Sequence, residues 1–253
     1  KLTLPNGWTL SPAGRSLPLG DLPLNIAVSK SKKWMAVTNN GQSVQSIQLI
    51  NPATEKIVDN VVVPKSWYGL KFSADEKHLY ASGGNDNWIL KFSLRANKLI
   101  LVDSIQLGKK WPEKISPAGI EIDDLAKKMF IVTKENNSLY IVDLGTKKIL
   151  HPQSLGEPAY TCLLSNNKRE LYISLWGGKK VLIFNIAAKK IVAEINVCES
   201  PNELKKKKNG KYLFVANAGD NAVSVIDIMQ RKVLEVLNAA LYPDAPTGSA
   251  SNG

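Results

Sequence analysis

The sequence predicts an all-β fold built from repeated four-stranded antiparallel units, and three observations carry that prediction. One pattern recurs along the chain: a Gly or Pro turn, a short apolar strand closing in most units on Ser or Asp, a polar turn, and a second strand. The closing positions Ser29, Ser73, Asp123, Ser165 and Lys207 lie 44, 50, 42 and 42 residues apart. No run of ten or more residues carries a helical apolar period bounded by caps. A period of about 40 to 50 residues with four strands per unit is the signature of β-propeller blades.

Taken in order, residues 1–20 are expected to supply the outer strand of a closing blade. Ser16-Leu17-Pro18-Leu19-Gly20 aligns there with Ser104-Ile105-Gln106-Leu107-Gly108, the outermost strand of a unit. Residues 21–237 make five full blades. Their inner strands run from Pro23 to Ser29, Trp67 to Ser73, Ala118 to Asp123, Tyr160 to Ser165 and Pro201 to Lys207. Second strands follow, such as Ala36-Val37-Thr38-Asn39 and Val215-Ala216-Asn217, then Asn/Gly-rich turns such as Asn85-Asp86-Asn87 and Gly219-Asp220-Asn221. Residues 238–253 read as the start of a sixth unit, with Pro246 to Gly253 as its turn and opening strand. An open sheet edge invites association, so five full blades plus partial ones predict a C-terminally truncated part of a seven-bladed ring. The alternative is a five-bladed ring latched by the Ser16 to Leu19 strand.

A chain of 253 residues, 44% apolar and 22% charged, has ample material for a large core. No stretch approaches the roughly 18 to 20 apolar residues of a transmembrane helix, and Lys1 to Gly7 lacks the apolar block of a signal peptide. A start at Lys1 without methionine fits a processed or trimmed product. Cys162 and Cys198 match no redox or zinc spacing and read as small buried hydrophobes. The net charge of +11 invites a nucleic-acid hypothesis until the repeat maps it. Calling the strands of a blade A to D from the axis outward, the A–B and C–D turns hold 22 of the 33 basic residues. These turns lack interleaved aromatics and hold few arginines, so they read as a solvated cationic face, with contact to an anionic envelope or an acidic partner domain as the minor alternative and no nucleic acid. Lys206 is anomalous, aligning with Val28, Phe72, Ile122 and Leu164. It is expected to snorkel or to mark a register shift.

The opposite face collects the candidate binding residues. Trp67, Tyr68, Trp111, Tyr160 and Trp176 fall on D–A or B–C connections, with Asn39, Asp86, Lys134 and Glu135 at or beside B–C turns. Loops on a rigid scaffold commonly carry recognition, although such rings can equally pack between blades. Catalysis finds no constellation. His78 and His151 sit in different units, no phosphate loop or nucleophile elbow appears, and no metal or other cofactor is expected.

The strand–turn pattern of Tyr80-Ala81-Ser82, Tyr172-Ile173-Ser174, Val215-Ala216-Asn217 and Ser224-Val225-Ile226-Asp227 resembles the YVTN-type β-propeller repeat family of secreted and surface-associated proteins, over about residues 15 to 245. Leu4-Pro5-Asn6-Gly7-Trp8, Gly20 to Asn25, Thr133 to Tyr140 and Tyr242 to Gly248 further resemble the N-terminal propeller module of bacterial proteins with a C-terminal phosphoesterase domain of the alkaline-phosphatase superfamily. That likeness implies a non-catalytic scaffold or recognition module docking a phosphoesterase domain or surface partner, in an extracellular or periplasmic location. The alternatives are a free-standing surface-associated binding propeller and a lactonase-like propeller enzyme.

Overall fold

A computed structural model describes residues 2–3, 7, 9–10, 14–110 and 112–240. After a short hairpin, β1 (Leu2–Thr3) with β2 (Thr9–Leu10), five four-stranded antiparallel sheets follow one another, each in sequential strand order. Blade 1 comprises β3 (Pro23–Val28), β4 (Met35–Asn39), β5 (Ser46–Asn51) and β6 (Lys56–Val62). Blade 2 comprises β7 (Leu70–Phe72), β8 (His78–Ser82), β9 (Trp88–Arg95) and β10 (Lys98–Gln106). Blade 3 holds β11 (Pro117–Asp123), β12 (Lys128–Thr133), β13 (Ser138–Asp143) and β14 (Ile149–Ser154). Blade 4 holds β15 (Cys162–Leu164), β16 (Glu170–Leu175), β17 (Lys180–Asn185) and β18 (Lys190–Asn196). Blade 5 holds β19 (Pro201–Lys206), β20 (Tyr212–Asn217), β21 (Ala222–Asp227) and β22 (Lys232–Asn238). The chain is a β-propeller of five such blades among the described residues.

Local chemistry explains where strands stop. The Ser closing an inner strand turns its hydroxyl onto the A–B turn, accepting the backbone N–H of Trp34 on Ser29 (3.2 Å), His78 on Ser73 (3.0 Å) and Glu170 on Ser165 (3.0 Å). Asx turns open the C–D connections, with Asn51 Oδ1 accepting from Ala53 N, Asp143 Oδ1 from Thr146 N and Asp227 Oδ1 from Gln230 N. A bulge interrupts the pairing of the two outer strands in all five blades, which increases their twist.

Blades adhere through apolar side chains on both sheet faces. Tyr80 and Ile89 of blade 2 pack with Ile120, Ile122, Met129 and Ile131 of blade 3. Tyr172, Val181 and Ile183 of blade 4 meet Leu204, Leu213 and Val215 of blade 5. Among the described residues the two terminal faces lack this cover. Ile26 and Val28 are 53% and 55% exposed, whereas Ile120 and Ile122, at the same register positions in blade 3, are 5% and 8% exposed. At the far end Leu237 is 40% exposed, against 4% for its counterpart Ile195. Among the described residues the five blades therefore form an arc whose first and last sheets keep an exposed apolar face.

Residues 16–19, expected as an outer strand, belong to no sheet. Leu17 and Leu19 share a shallow cleft with Val37 and Ile50 of blade 1; the Gly20 N–H donates to Gln48 Oε1 (3.2 Å) and Arg15 pairs with Glu55. Most of the expected sixth unit lies outside the described residues; β22 ends at Asn238, and the Ala239 N–H donates to Asn221 O. Lys206 marks no register shift, since it pairs with Leu213 as Ile122 pairs with Met129. It snorkels instead, its ammonium donating to Leu164 O. The two cysteines are free, Cys162 buried and Cys198 half-buried.

Candidate functional site

The inner strands line an axial cavity of about 370 Å³ whose walls include Asn25, Lys71, Glu121, Thr161, Glu203 and Lys205. Glycines let these strands converge: a Cβ on Gly69 would stand 2.2 Å from Ala118 O, and one on Gly119 2.4 Å from Thr161 Cα. Lys71 Nζ neutralises the buried Glu121 carboxylate at 2.9 Å. Among the described residues Glu203 enters no ion pair. Its Oε2 is buried and accepts no hydrogen bond, and burial pushes its carboxyl above the usual range, with Lys205 opposing.

Above this cavity, on the D–A and B–C side, the predicted aromatics come together. Trp67, Tyr160 and Trp176, with Leu24, Ala118, Pro158, Ala159 and the Lys134 chain, line an apolar cavity of about 320 Å³. Trp176 is 45% exposed, and Lys134 Nζ stands 5.4 Å from the centre of a Trp67 ring. Tyr68 lies beneath, lining the axial cavity, with its ring centroid 4.4 Å from that of Tyr160. The tyrosine pair thus separates mouth from axis, one ring in the wall of each. Asn25 Nδ2 fixes the loop by donating to Tyr68 O (2.6 Å), and burial raises the Tyr160 phenol.

A polar cleft of about 680 Å³ adjoins the mouth through the shared walls Trp67 and Lys134. Glu135 lines it, together with Asn40, Gln45, Ser66, Asn85 and Ser116. Two of its hydroxyls are committed locally: Ser66 Oγ donates to Asn40 Oδ1 (2.5 Å) and Ser116 Oγ to Asn85 Oδ1 (2.8 Å).

Of the residues expected from sequence, Trp67, Lys134, Glu135, Tyr160 and Trp176 surround these two confluent cavities, and Tyr68 underlies them. Asn39 does not join them. It is 1% exposed and donates to Ser46 Oγ (3.1 Å) within blade 1, while its neighbour Asn40 reaches the cleft. Asp86 lines neither cavity; it ends the short helical turn Gly84–Asp86, its backbone accepting from Gln106 Nε2. Trp111 lies outside the described residues. The sequence reading missed Leu24, Pro158 and the serine–asparagine pairs, of which the Asn-rich B–C turns were the visible trace.

His78 sits at the other end of the molecule from the mouth, in an A–B turn, where burial and then Lys91 lower its imidazole pKa. Among the described residues no three His, Cys, Asp or Glu side chains are grouped to hold a metal ion.

No family model matches the chain, and no curated protein does. Among solved structures, hydrazine synthase of Kuenenia stuttgartiensis is similar at a TM-score of 0.71 and 16% identity, over 89% of this chain and 68% of that one. A protein of unknown function from Desulfotomaculum acetoxidans is similar at 0.72 and 14% identity, over 85% of this chain and 71% of that one. At such identities the likeness is one of fold, and it agrees with the propeller architecture.

Proposed function

We propose that this chain is a non-catalytic recognition module whose D–A and B–C face binds a protein partner. One observation carries the proposal: Trp67, Tyr160 and Trp176 converge with Lys134 on a single apolar mouth that opens into an amide- and hydroxyl-lined cleft. Such a groove suits a polypeptide segment, with an apolar or aromatic side chain in the mouth and its backbone along the cleft. Recognition is supported by what converges there: aromatic faces, the Lys134 ammonium, the Glu135 carboxylate and serines bonded to amides. The exposed faces of blades 1 and 5 support membership of a larger ring, which we read as seven-bladed. An extracytoplasmic location and a phosphoesterase domain as partner rest on the sequence resemblance.

The test is retention of a partner captured on the immobilised chain. Trp176→Ala and Lys134→Ala should each lower retention about tenfold or more with an unchanged unfolding temperature. Retention equal to that of the unsubstituted chain would refute the assignment.

A further inference from the structure

The opposite face carries a second feature that the recognition groove does not use. A–B and C–D turns of the blades emerge together there, and their left-handed residues are basic in six of the ten turns, with Glu55 and Glu76 in that place in two others. Lys32, Lys127, Lys147, Lys168, Lys189 and Arg231 adopt φ between 50° and 61°, a region that favours glycine or asparagine. In the five A–B turns glycine takes that place only at Gly210. The residue that follows is basic as well, as in Lys33, Lys128, Lys148, Arg169, Lys190 and Lys232. Ion pairs among the described residues engage Lys147 with Asp103, Lys168 with Asp123 and Arg231 with Glu170. Lys32, Lys127, Lys148, Lys189 and Lys208 are exposed and enter no ion pair among the described residues.

Two large apolar side chains project from the same end. Leu125, in the A–B turn of blade 3, is 88% exposed, and Met229, in the C–D turn of blade 5, is 89% exposed. The other A–B turns carry Ser31, Asp75, Asn167 and Asn209 at the position of Leu125. Ala53, Gly145 and Ala187 stand in C–D turns where blade 5 has Met229. Neither side chain contributes to the core, and neither has a structural reason to be large.

We propose that this face docks on an anionic lipid bilayer, with the turn lysines held by the headgroup charge and Leu125 and Met229 entering the acyl boundary. Lysines dispersed over several blades match a diffuse negative surface, whereas an acidic protein would call for paired, bidentate arginines at a packed patch. Isolated apolar tips are complementary to hydrocarbon, which closes around single side chains, as a folded partner does only through a shaped pocket. Docked this way, the recognition groove at the opposite end of the blades faces away from the membrane.

Co-sedimentation with phosphatidylcholine vesicles containing about 30% phosphatidylglycerol, against vesicles of phosphatidylcholine alone, tests this directly. Binding should be at least about tenfold stronger to the anionic vesicles and should collapse when salt is raised from about 0.05 to 0.3 M. The double variant Leu125→Glu, Met229→Glu should bind about tenfold more weakly with an unchanged unfolding temperature, because both side chains are almost wholly exposed. Equal binding to neutral vesicles, or full binding by the double variant, would overturn the proposal. So would binding to polyglutamate or duplex DNA as strong as to the anionic vesicles at the same salt, which would assign the face to a soluble polyanion.

Discussion

Replacing Ile120 and Ile26 by alanine, one at a time, removes the same side chain from equivalent register positions in two different surroundings. Ile120 is 5% exposed between blades 2 and 3, packed with Tyr80, Ile89 and Met129. Truncation there loses transfer energy and leaves a cavity, a cost of about 2 to 5 kcal/mol. Ile26 is 53% exposed, so only about half of its burial energy is at stake and solvent fills the space left behind. Its truncation should cost about 1 kcal/mol or less. For a chain of this size about 2 to 4 °C of unfolding temperature correspond to each kcal/mol. Ile120→Ala should therefore melt about 5 to 15 °C lower and Ile26→Ala less than about 4 °C lower, read by circular dichroism and checked by urea midpoints. Equal losses at the two positions would refute the open arc and show that the first blade's face is covered.

Other consequences can be measured on the same footing. Glu203→Gln should stabilise the chain by about 1 kcal/mol at pH 7 and have no effect near pH 4. Burial raises the folded pKa of Glu203, so its contribution is favourable below the unfolded carboxylate pKa and is lost as pH rises through the folded value. Unfolding midpoints of the variant and parent across that range check this. Asp123 behaves in the opposite sense: against its desolvation, the Lys168 ammonium at 2.7 Å and the N–H groups of Ala126 and Leu125 hold its pKa down. Asp123→Asn should then cost about 1 kcal/mol at neutral pH, a loss that fades as pH falls through the depressed carboxyl range below about 4. Gly119→Ala, whose Cβ would stand 2.4 Å from Thr161 Cα, should destabilise by about 1 to 3 kcal/mol in urea unfolding. Tyr160→Phe should leave stability within about 1 kcal/mol of the parent, because the Tyr68 ring contact at 4.4 Å does not need the hydroxyl.

The blades were legible in the sequence because each strand boundary has its own chemical mark. Ser29, Ser73 and Ser165 close inner strands with a hydroxyl, and Asn51, Asp143 and Asp227 open C–D turns with an amide or carboxylate. The candidate site was legible only by face. Loop connectivity places Trp67, Tyr160 and Trp176 at one end, but which rings share a cavity depends on how adjacent blades pack. Asn39 and Asn40 show the limit most clearly: β4 ends on Asn39, which bonds inward to Ser46, and the next residue, just past the strand, lines the cleft, so a one-residue ambiguity inverts the assignment. The open faces could not be read from apolar residues alone, since Ile26 and Ile120 have the same sequence signature and differ only in what stands beside them.

Hydrogen–deuterium exchange of the chain alone and with its captured partner tests the recognition face most directly. Protection is predicted at residues 66–67, 134–135, 159–160 and 176, the walls of the aromatic mouth and its adjoining cleft, with the A–B and C–D turns unchanged. Protection confined to the outer strands or to the lysine turns, with the mouth exchanging as freely as in the unbound chain, would contradict the account.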